Sequence, residues 1–305
     1  MKDEKNVQIS ILILCYNGAE DTLEAIESLK NQRAFIDQIY VMDNASNNES
    51  VGLLRLGANK LNFKLIESSI NLGFAGGFNK LFKDVVPNLK TEYVCILNND
   101  VIAEESFLQK LMVELNPEAI LCPMILWNHD KETVIQSAGS FDKTMMKMKN
   151  TFAGKNRKDV QKKTHLIESC DGCCFIIHKK WLEKGVSFDD NYFMYFEDMN
   201  FFHELKKYGL TFKYVAESVL YHKEYGSSGE RNTPSALRNY YFYRNRMYFA
   251  KKIHRFPKRL WTYYRLIRLA REKYKLEKPK SIKAANAIYK GVYDFFIGRM
   301  GKGNY

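Results

Sequence analysis

The stretch Tyr93-Val94-Cys95-Ile96-Leu97-Asn98-Asn99-Asp100-Val101 constrains the fold more than any other part of the chain. An apolar run of strand length stops abruptly at two amides and a carboxylate. A strand covered on both faces reads as a continuous apolar segment, and its end at a sheet edge places acceptor oxygens where a divalent cation can be held. Asn and Asp also follow strands in ordinary turns. Recurrence separates the two readings, because similar strand-then-polar junctions lie upstream.

Residues 8–15 (QISILILC) form another unbroken apolar run, ending at Tyr16-Asn17. Residues 20–31 carry Leu23, Ile26 and Leu29 at helical spacing, with Glu20 and Asp21 at the start, where a helix dipole favours acids. A strand at 38–42 ends at Asp43-Asn44, a short helix covers 51–59, and a strand follows at 63–67. A helix is predicted over about 74–86, and another after Asp100 with Phe107, Leu108, Leu111, Met112 and Leu115 on one face. This alternation is that of an α/β protein with a mostly parallel sheet sandwiched between helices. In such a sheet the loops after the strands share the carboxyl edge, where ligands bind. Four polar junctions fall there: Tyr16-Asn17, Asp43-Asn44, Asn71 to Asn79, and Asn98 to Asp100. Together they favour a nucleotide-type pocket.

The segment NLGFAGGFN (71–79) is a glycine-rich helix entry, suited either to close approach by a ligand or to tight helix–sheet packing. It lacks the spacing of a dinucleotide fingerprint and the Lys-Ser/Thr of a P-loop. Farther on, FMYFEDMNFF (193–202) sets Glu197 and Asp198 among bulky rings. Aromatic walls exclude water and favour a carboxylate that can accept a proton, and the same residues can cap a helix running on to Lys207. His222 closes a strand-like run and, beside a metal carboxylate, is a candidate third ligand. Cys170-x-x-Cys173 with Cys174 has no second ligand pair at zinc-finger spacing, so these thiols read as packed residues.

At 305 residues the chain is long enough for one substantial domain plus an appendage. No apolar run approaches the ~20 residues that span a bilayer. The N-terminus shows no secretory signal pattern, and six unevenly spaced cysteines fit a reducing cytoplasm. The net charge of +12 conceals an asymmetry. Residues 230–305 hold 20 Lys and Arg against 4 Asp and Glu, and residues 1–229 hold 27 against 31. A first unit (1–229) followed by a basic, aromatic-rich helical region (230–305) is therefore expected. The mixture of cations and rings from Arg238 onward suits an anionic lipid surface. Single-strand nucleic-acid binders share that mixture, but the acidic first region offers no complementary groove, so no nucleic-acid partner is expected.

Taken in order, ILILCYNG (11–18), VMDNAS (41–46), NLGFAGGFN (71–79), LNNDV (97–101), FMYFEDMNFFHELKKYG (193–209) and HKEYGSS (222–228) resemble the inverting family-2 glycosyltransferases of the GT-A fold. The likeness is greatest to the bacterial branch that includes rhamnosyltransferases of surface polysaccharide assembly, and GVYDFFIGRMGK (291–302) resembles that branch's ending. The resemblance implies a nucleotide diphosphate sugar donor, a glycan acceptor that is lipid-linked, and a magnesium or manganese cofactor. It places the enzyme in the cytoplasm, peripheral at the inner face of the plasma membrane. It implies that Tyr16 and Asn17 line the base pocket, that Asp43 bonds the pyrimidine, and that Asn71, Gly73 and Asn79 flank the nucleotide. Asn98, Asn99 and Asp100 fall on the Asp-x-Asp motif, with Asp100 on the metal and His222 nearby. Asp198 is the implied general base, supported by Glu197. Asn98 departs from the motif and removes one negative charge. That departure keeps open a second reading, a nucleotide-sugar-binding scaffold without turnover.

Overall fold

The computed structural model describes residues 7–136, 139–223 and 235–304. The chain opens with β1 (Ile9–Cys15), α1 (Ala19–Ser28), β2 (Ile36–Asp43), α2 (Asn48–Lys60), β3 (Lys64–Glu67), α3 (Gly73–Asp84) and β4 (Tyr93–Asn98). Next come β5 (Val101–Ala103), α4 (Phe107–Met112), β6 (Ala119–Trp127), β7 (Val134–Gln136), β8 (Gly139–Asp142) and β9 (Lys147–Asn150). The sheet is completed by β10 (His165–Ile167), β11 (Cys174–His178) and β12 (Thr211–His222), with α5 (Lys179–Glu183) and α6 (Glu197–Lys207) between them. Three helices close the chain: α7 (Ala236–Ile253), α8 (Lys258–Glu277) and α9 (Ile282–Phe296).

The main sheet runs β10-β12-β6-β11-β4-β1-β2-β3, with β5 added on β12 and β7 on β6. Strands β3, β2, β1 and β4 are mutually parallel, as are β6 and β12, whereas β11 is antiparallel to both β4 and β6. The expected mostly parallel α/β sheet is therefore present. Both faces of β1 are buried almost throughout, which explains its apolar run without alternation. The chain order reverses at β1, which has β2 on one side and β4 on the other, and a crevice opens at such a point beyond the strand ends. The register aligns those ends: Cys15 faces Asp43, and Leu14 faces Asn98. Three strands at a spacing of about 4.8 Å put Asp43 and Asn98 roughly 10 Å apart along one edge.

Two helices differ from their sequence pattern. Helix α1 ends at Ser28, and the chain tightens into a 3-10 segment over Lys30–Phe35. Buried Gln32 accounts for the change, because its amide donates to the Glu104 carbonyl and accepts from the Leu108 N–H. Helix α4 stops at Met112, yet Leu115 still packs on the same core.

Within the basic C-terminal region, α7 departs from the expectation of an exposed basic helix. Helix α7 is buried on nearly every side, and its Met247, Phe249 and Ala250 join the main core with Phe196, Phe201 and Phe212. Its run Tyr240-Tyr241-Phe242-Tyr243 supplies apolar surface all round, as a wholly enclosed helix requires. Helix α8 keeps the surface character.

Candidate active site

The first candidate cluster begins where β1 and β2 end. Tyr16 is exposed, and Asn17 takes a left-handed backbone conformation. The two loops are tied together: the Asn17 N–H donates to Ser46 Oγ at 2.8 Å, and the Asn47 N–H donates to Asn17 Oδ1 at 2.8 Å. Asp43 is buried, and its Oδ2 accepts the Ser46 N–H at 3.1 Å. Its Oδ1 is buried with no hydrogen-bond partner among the described residues. A buried carboxylate oxygen left unpaired is costly, so this atom is one that a ligand's N–H or O–H donor would satisfy.

The glycine-rich segment is held by amides. Asn44 Oδ1 accepts the Leu72 N–H, its Nδ2 donates to the Gly73 carbonyl, and Asn71 Oδ1 accepts the Gly73 N–H. Gly73 has φ +73°, and any Cβ there would collide with the Phe193 carbonyl, which itself accepts the Phe74 N–H at 2.7 Å. Only glycine fits this approach. Gly77 serves packing instead, since a Cβ would lie 2.6 Å from Leu14 Cδ1. Asn79, expected beside the nucleotide, has its amide engaged elsewhere: it donates to the Phe188 carbonyl and Asp190 and accepts the Phe188 N–H. Asn99 is likewise turned toward α1, donating to the Gly18 carbonyl and Thr22 Oγ1.

Asp100 and His222 meet where β5, which starts just after Asp100, pairs with β12, with Asp100 Oδ1 3.0 Å from His222 Nε2. Both side chains are mostly enclosed. Burial works to raise the Asp100 carboxyl, but the hydrogen bond and charge of His222, helped by Lys223, hold it below its ordinary value. Lys223 pairs with Asp21 at 2.6 Å and with Glu24. Beside it a cavity of about 280 Å³ is lined by Asp21, Asn128, His129 and Lys223. Of HKEYGSS, only His222 and Lys223 lie within the described residues.

Among the described residues no three His, Cys, Asp or Glu side chains form a ready-made metal set. Asp100 and His222 nevertheless fit two neighbouring positions around a divalent cation. Adjacent vertices of an octahedron with bonds of about 2.1 Å lie roughly 3 Å apart, as these two donors do. Cys170, Cys173 and Cys174 are buried, and none of the three is in a disulfide.

The third cluster lies across β11. The Asn98 N–H donates to the Cys173 carbonyl, which links the strand end to the loop carrying Asp171 and Gly172. The Gly172 N–H donates to Asp198 Oδ2 at 3.1 Å, and the Met199 N–H donates to Asp198 Oδ1 at 2.7 Å. Burial raises the Asp198 carboxyl, against the pull of those amides. Glu197 is deeper, and burial followed by the Asp198 charge pushes it well above its ordinary value. One Glu197 oxygen, Oε2, has no hydrogen-bond partner among the described residues. The two preceding residues, Tyr195 (φ 66°) and Phe196 (φ 74°), are both left-handed, a strain of about 1–3 kcal/mol each for bulky side chains. Phe196 caps α6 by backbone alone.

Sequence reasoning missed Asn44 as the clamp on the glycine-rich segment, Gly172 as the floor under Asp198, and the Lys223 pairing. Gly172 lies inside CDGCC, where attention fell on the thiols.

A match to the sequence profile "Glycosyl transferase family 2" covers residues 10–186, more than half of the chain. The chain belongs to glycosyl transferase family 2. It is 23% identical over 202 residues to the low-salt glycan biosynthesis hexosyltransferase Agl10 of Haloferax volcanii, covering 65% of this chain and 62% of that relative's length. Among solved structures it is similar to GalNAc-T7 with UDP, GalNAc and Mn2+ (TM-score 0.59, 14% identity, 77% of this chain and 47% of that one). It is also similar to the mannosyltransferase PcManGT of Pyrobaculum calidifontis with GDP-Man and Mn2+ (TM-score 0.57, 12% identity, 97% and 89%). At these identities the structural likeness establishes the GT-A fold of this family-2 member, with its C-terminal helices added.

Proposed function

We propose that this family-2 protein moves a sugar from a nucleoside diphosphate donor to a glycan hydroxyl with inversion at the anomeric carbon. Rhamnose is the first sugar to test. The observation that carries the reading is Asp198: it starts a helix, is held by two backbone amides, and is shifted toward proton acceptance, on the same edge as the orphaned Asp43 oxygen.

Asp43 and Tyr16 would receive the base, and the Asn44–Asn71 clamp would fix the glycine-rich segment against the donor. Asp100 and His222 would hold magnesium or manganese, which when bound supplies positive charge to the leaving diphosphate. The acceptor's O–H proton passes to the Asp198 carboxylate as its oxygen bonds the anomeric carbon. The bond from that carbon to the diphosphate oxygen breaks, and the electron pair leaves with the diphosphate. Glu197 is buried and pushed up by burial and the Asp198 charge, whereas Asp198 is the carboxylate held by the Gly172 and Met199 amides, so the accepting role falls to Asp198.

The acceptor in this reading is a lipid-linked glycan of surface polysaccharide assembly at a membrane. No helix among the described residues is long and apolar enough to cross one. Helix α8 supplies a contact face instead. Leu260, Trp261, Tyr264 and Ile267 are exposed on one stripe, Phe256 precedes them, and exposed Arg268 and Arg271 continue it. Rings and cations so arranged suit an anionic headgroup layer.

The test is Asp198→Asn with a panel of nucleotide sugars and manganese. Transfer should fall roughly 10²–10⁴-fold with donor affinity intact, and Glu197→Gln should lose less. Normal turnover by Asp198→Asn would remove the base assignment. Donor binding by the wild type with no transfer to any glycan would favour the scaffold reading.

A further inference from the structure

We infer that Asn245, on α7, is a positioning residue that holds the left-handed turn aiming Asp198. The inference deepens the reading above and rests on Asp198 being the base. Two consecutive bulky residues in the left-handed region need outside support, because a side chain makes that backbone costly. The Phe196 carbonyl accepts the Asn200 N–H at the start of α6, which leaves the Met194 and Tyr195 carbonyls to other donors. Asn245 meets them: its Nδ2 donates to the Met194 carbonyl at 2.8 Å and to the Tyr195 carbonyl at 2.9 Å. Three residues after Tyr195 comes Asp198.

The orientation of this amide is itself determined. Asn245 Oδ1 accepts from Arg244 Nε at 3.0 Å, so Nδ2 is the atom left to face the turn. The Arg244 guanidinium lies over the Tyr240 and Tyr241 rings, and the Tyr240 hydroxyl donates to Asp294 of α9 at 2.7 Å. Asn245, Arg244, Tyr240 and Asp294 are all fully buried. Each pairing stiffens the chain in so dry a setting, although Arg244 Nη2 has no hydrogen-bond partner among the described residues, and the chain leads from α9 through α7 to the turn. On the opposite side, the Phe193 carbonyl accepts from Phe74 and touches Gly73. The turn is thus held between the donor-side helix and α7. The Phe196 side chain packs against Phe242 and Phe249 of α7, which fixes the turn's position but supplies no partner for its carbonyls.

Asn245→Ala removes both donors. The expected result is a roughly 10–100-fold fall in kcat, as for a reacting group displaced by about 1 Å, with KM for donor and Kd for the nucleoside diphosphate unchanged. Amide exchange at Met199 and Asn200 should quicken while β1 and β4 stay protected. Adding Tyr195→Gly should recover part of the lost kcat, since glycine adopts the turn unaided. Unchanged kcat and exchange would overturn the inference, as would kcat and donor affinity falling together with the folded fraction. If the alanine variant is insoluble, Asn245→Ser decides: with one donor it should lie between wild type and loss, and full kcat with unchanged exchange overturns the role. The exchange measurement stands apart from the base assignment. If Asp198→Asn turns over normally, the base reading fails. If Asp198→Asn is inactive and Asn245→Ala is unaffected, only this inference fails.

Discussion

Helices α7 and α8 are neighbours in the chain, and each carries a net charge of +5, five cations and no acids in the first, seven cations and two acids in the second. Composition does not distinguish them, but their surroundings do. In α7 the cations Arg244 and Arg246 are buried, one over tyrosine rings and the other donating to the Met145 carbonyl. In α8 the buried side is a narrow stripe of Thr262, Leu266 and Ala270, and the large residues Trp261, Tyr264 and Ile267 face outward. A basic aromatic segment can therefore serve as core or as contact surface. Which one it becomes depends on whether its apolar residues encircle the helix or occupy one side.

The largest expected effect sets the two helices directly against each other. Phe249 is buried in α7 and contacts Phe141 and Phe196, so Phe249→Ala should cost about 3–5 kcal/mol of stability. Trp261, more than half exposed, should change stability by no more than about 0.5 kcal/mol on conversion to alanine. Denaturant titration of both variants gives the difference. Similar losses from the two would mean that α8 is covered in solution.

A smaller effect concerns the open side of α8. Arg268 and Arg271 are exposed, and each cation near an anionic membrane contributes about 1 kcal/mol. Replacing both with alanine should weaken binding to phosphatidylserine vesicles by about 2 kcal/mol, roughly 30-fold, and leave nucleotide binding untouched. The effect should shrink in high salt and vanish on neutral vesicles. Equal vesicle binding by the double variant would take α8 out of the contact. Retention of the wild type on single-stranded nucleic acid in preference to vesicles would replace the lipid partner.

The contrast between the helices also marks how far the sequence could be read. The parallel strands were legible because burial on both faces leaves an unbroken apolar signature, as in residues 9–15 and 93–97. The edge residues Asp43, Asn98 and Asp100 were legible because a strand that stops at polar side chains marks its own end. Pairings across the fold were not. Gly172 meets Asp198 and Asn245 meets Tyr195 only after long stretches of chain close, and no local spacing encodes those contacts. The same holds for Asn79 and Asn99, whose residue types fit a ligand while their amides brace neighbouring loops. The tyrosine run in α7 did carry a local signal of enclosure, but its cations gave the opposite one.

The smallest expected signal lies beneath α7, where Glu197 contrasts with the solvated acids of the surface. What faces its buried carboxyl are Asp198 and Asp171, and burial with the Asp198 charge holds it well above its ordinary 4.5. The folded chain therefore keeps this proton at pH values where the unfolded chain has released it. Stability from this group is fully present below the unfolded value and is lost as pH rises through the raised folded one. Glutamine carries no such proton and nearly the same shape. Glu197→Gln should accordingly melt above the wild type at pH 8, with the gap closing toward pH 4. Melting curves at the two pH values measure it. A gap of the same size at both would show that Glu197 does not hold its proton in the fold, and Asp198 would then have an ionised neighbour competing for the acceptor's proton.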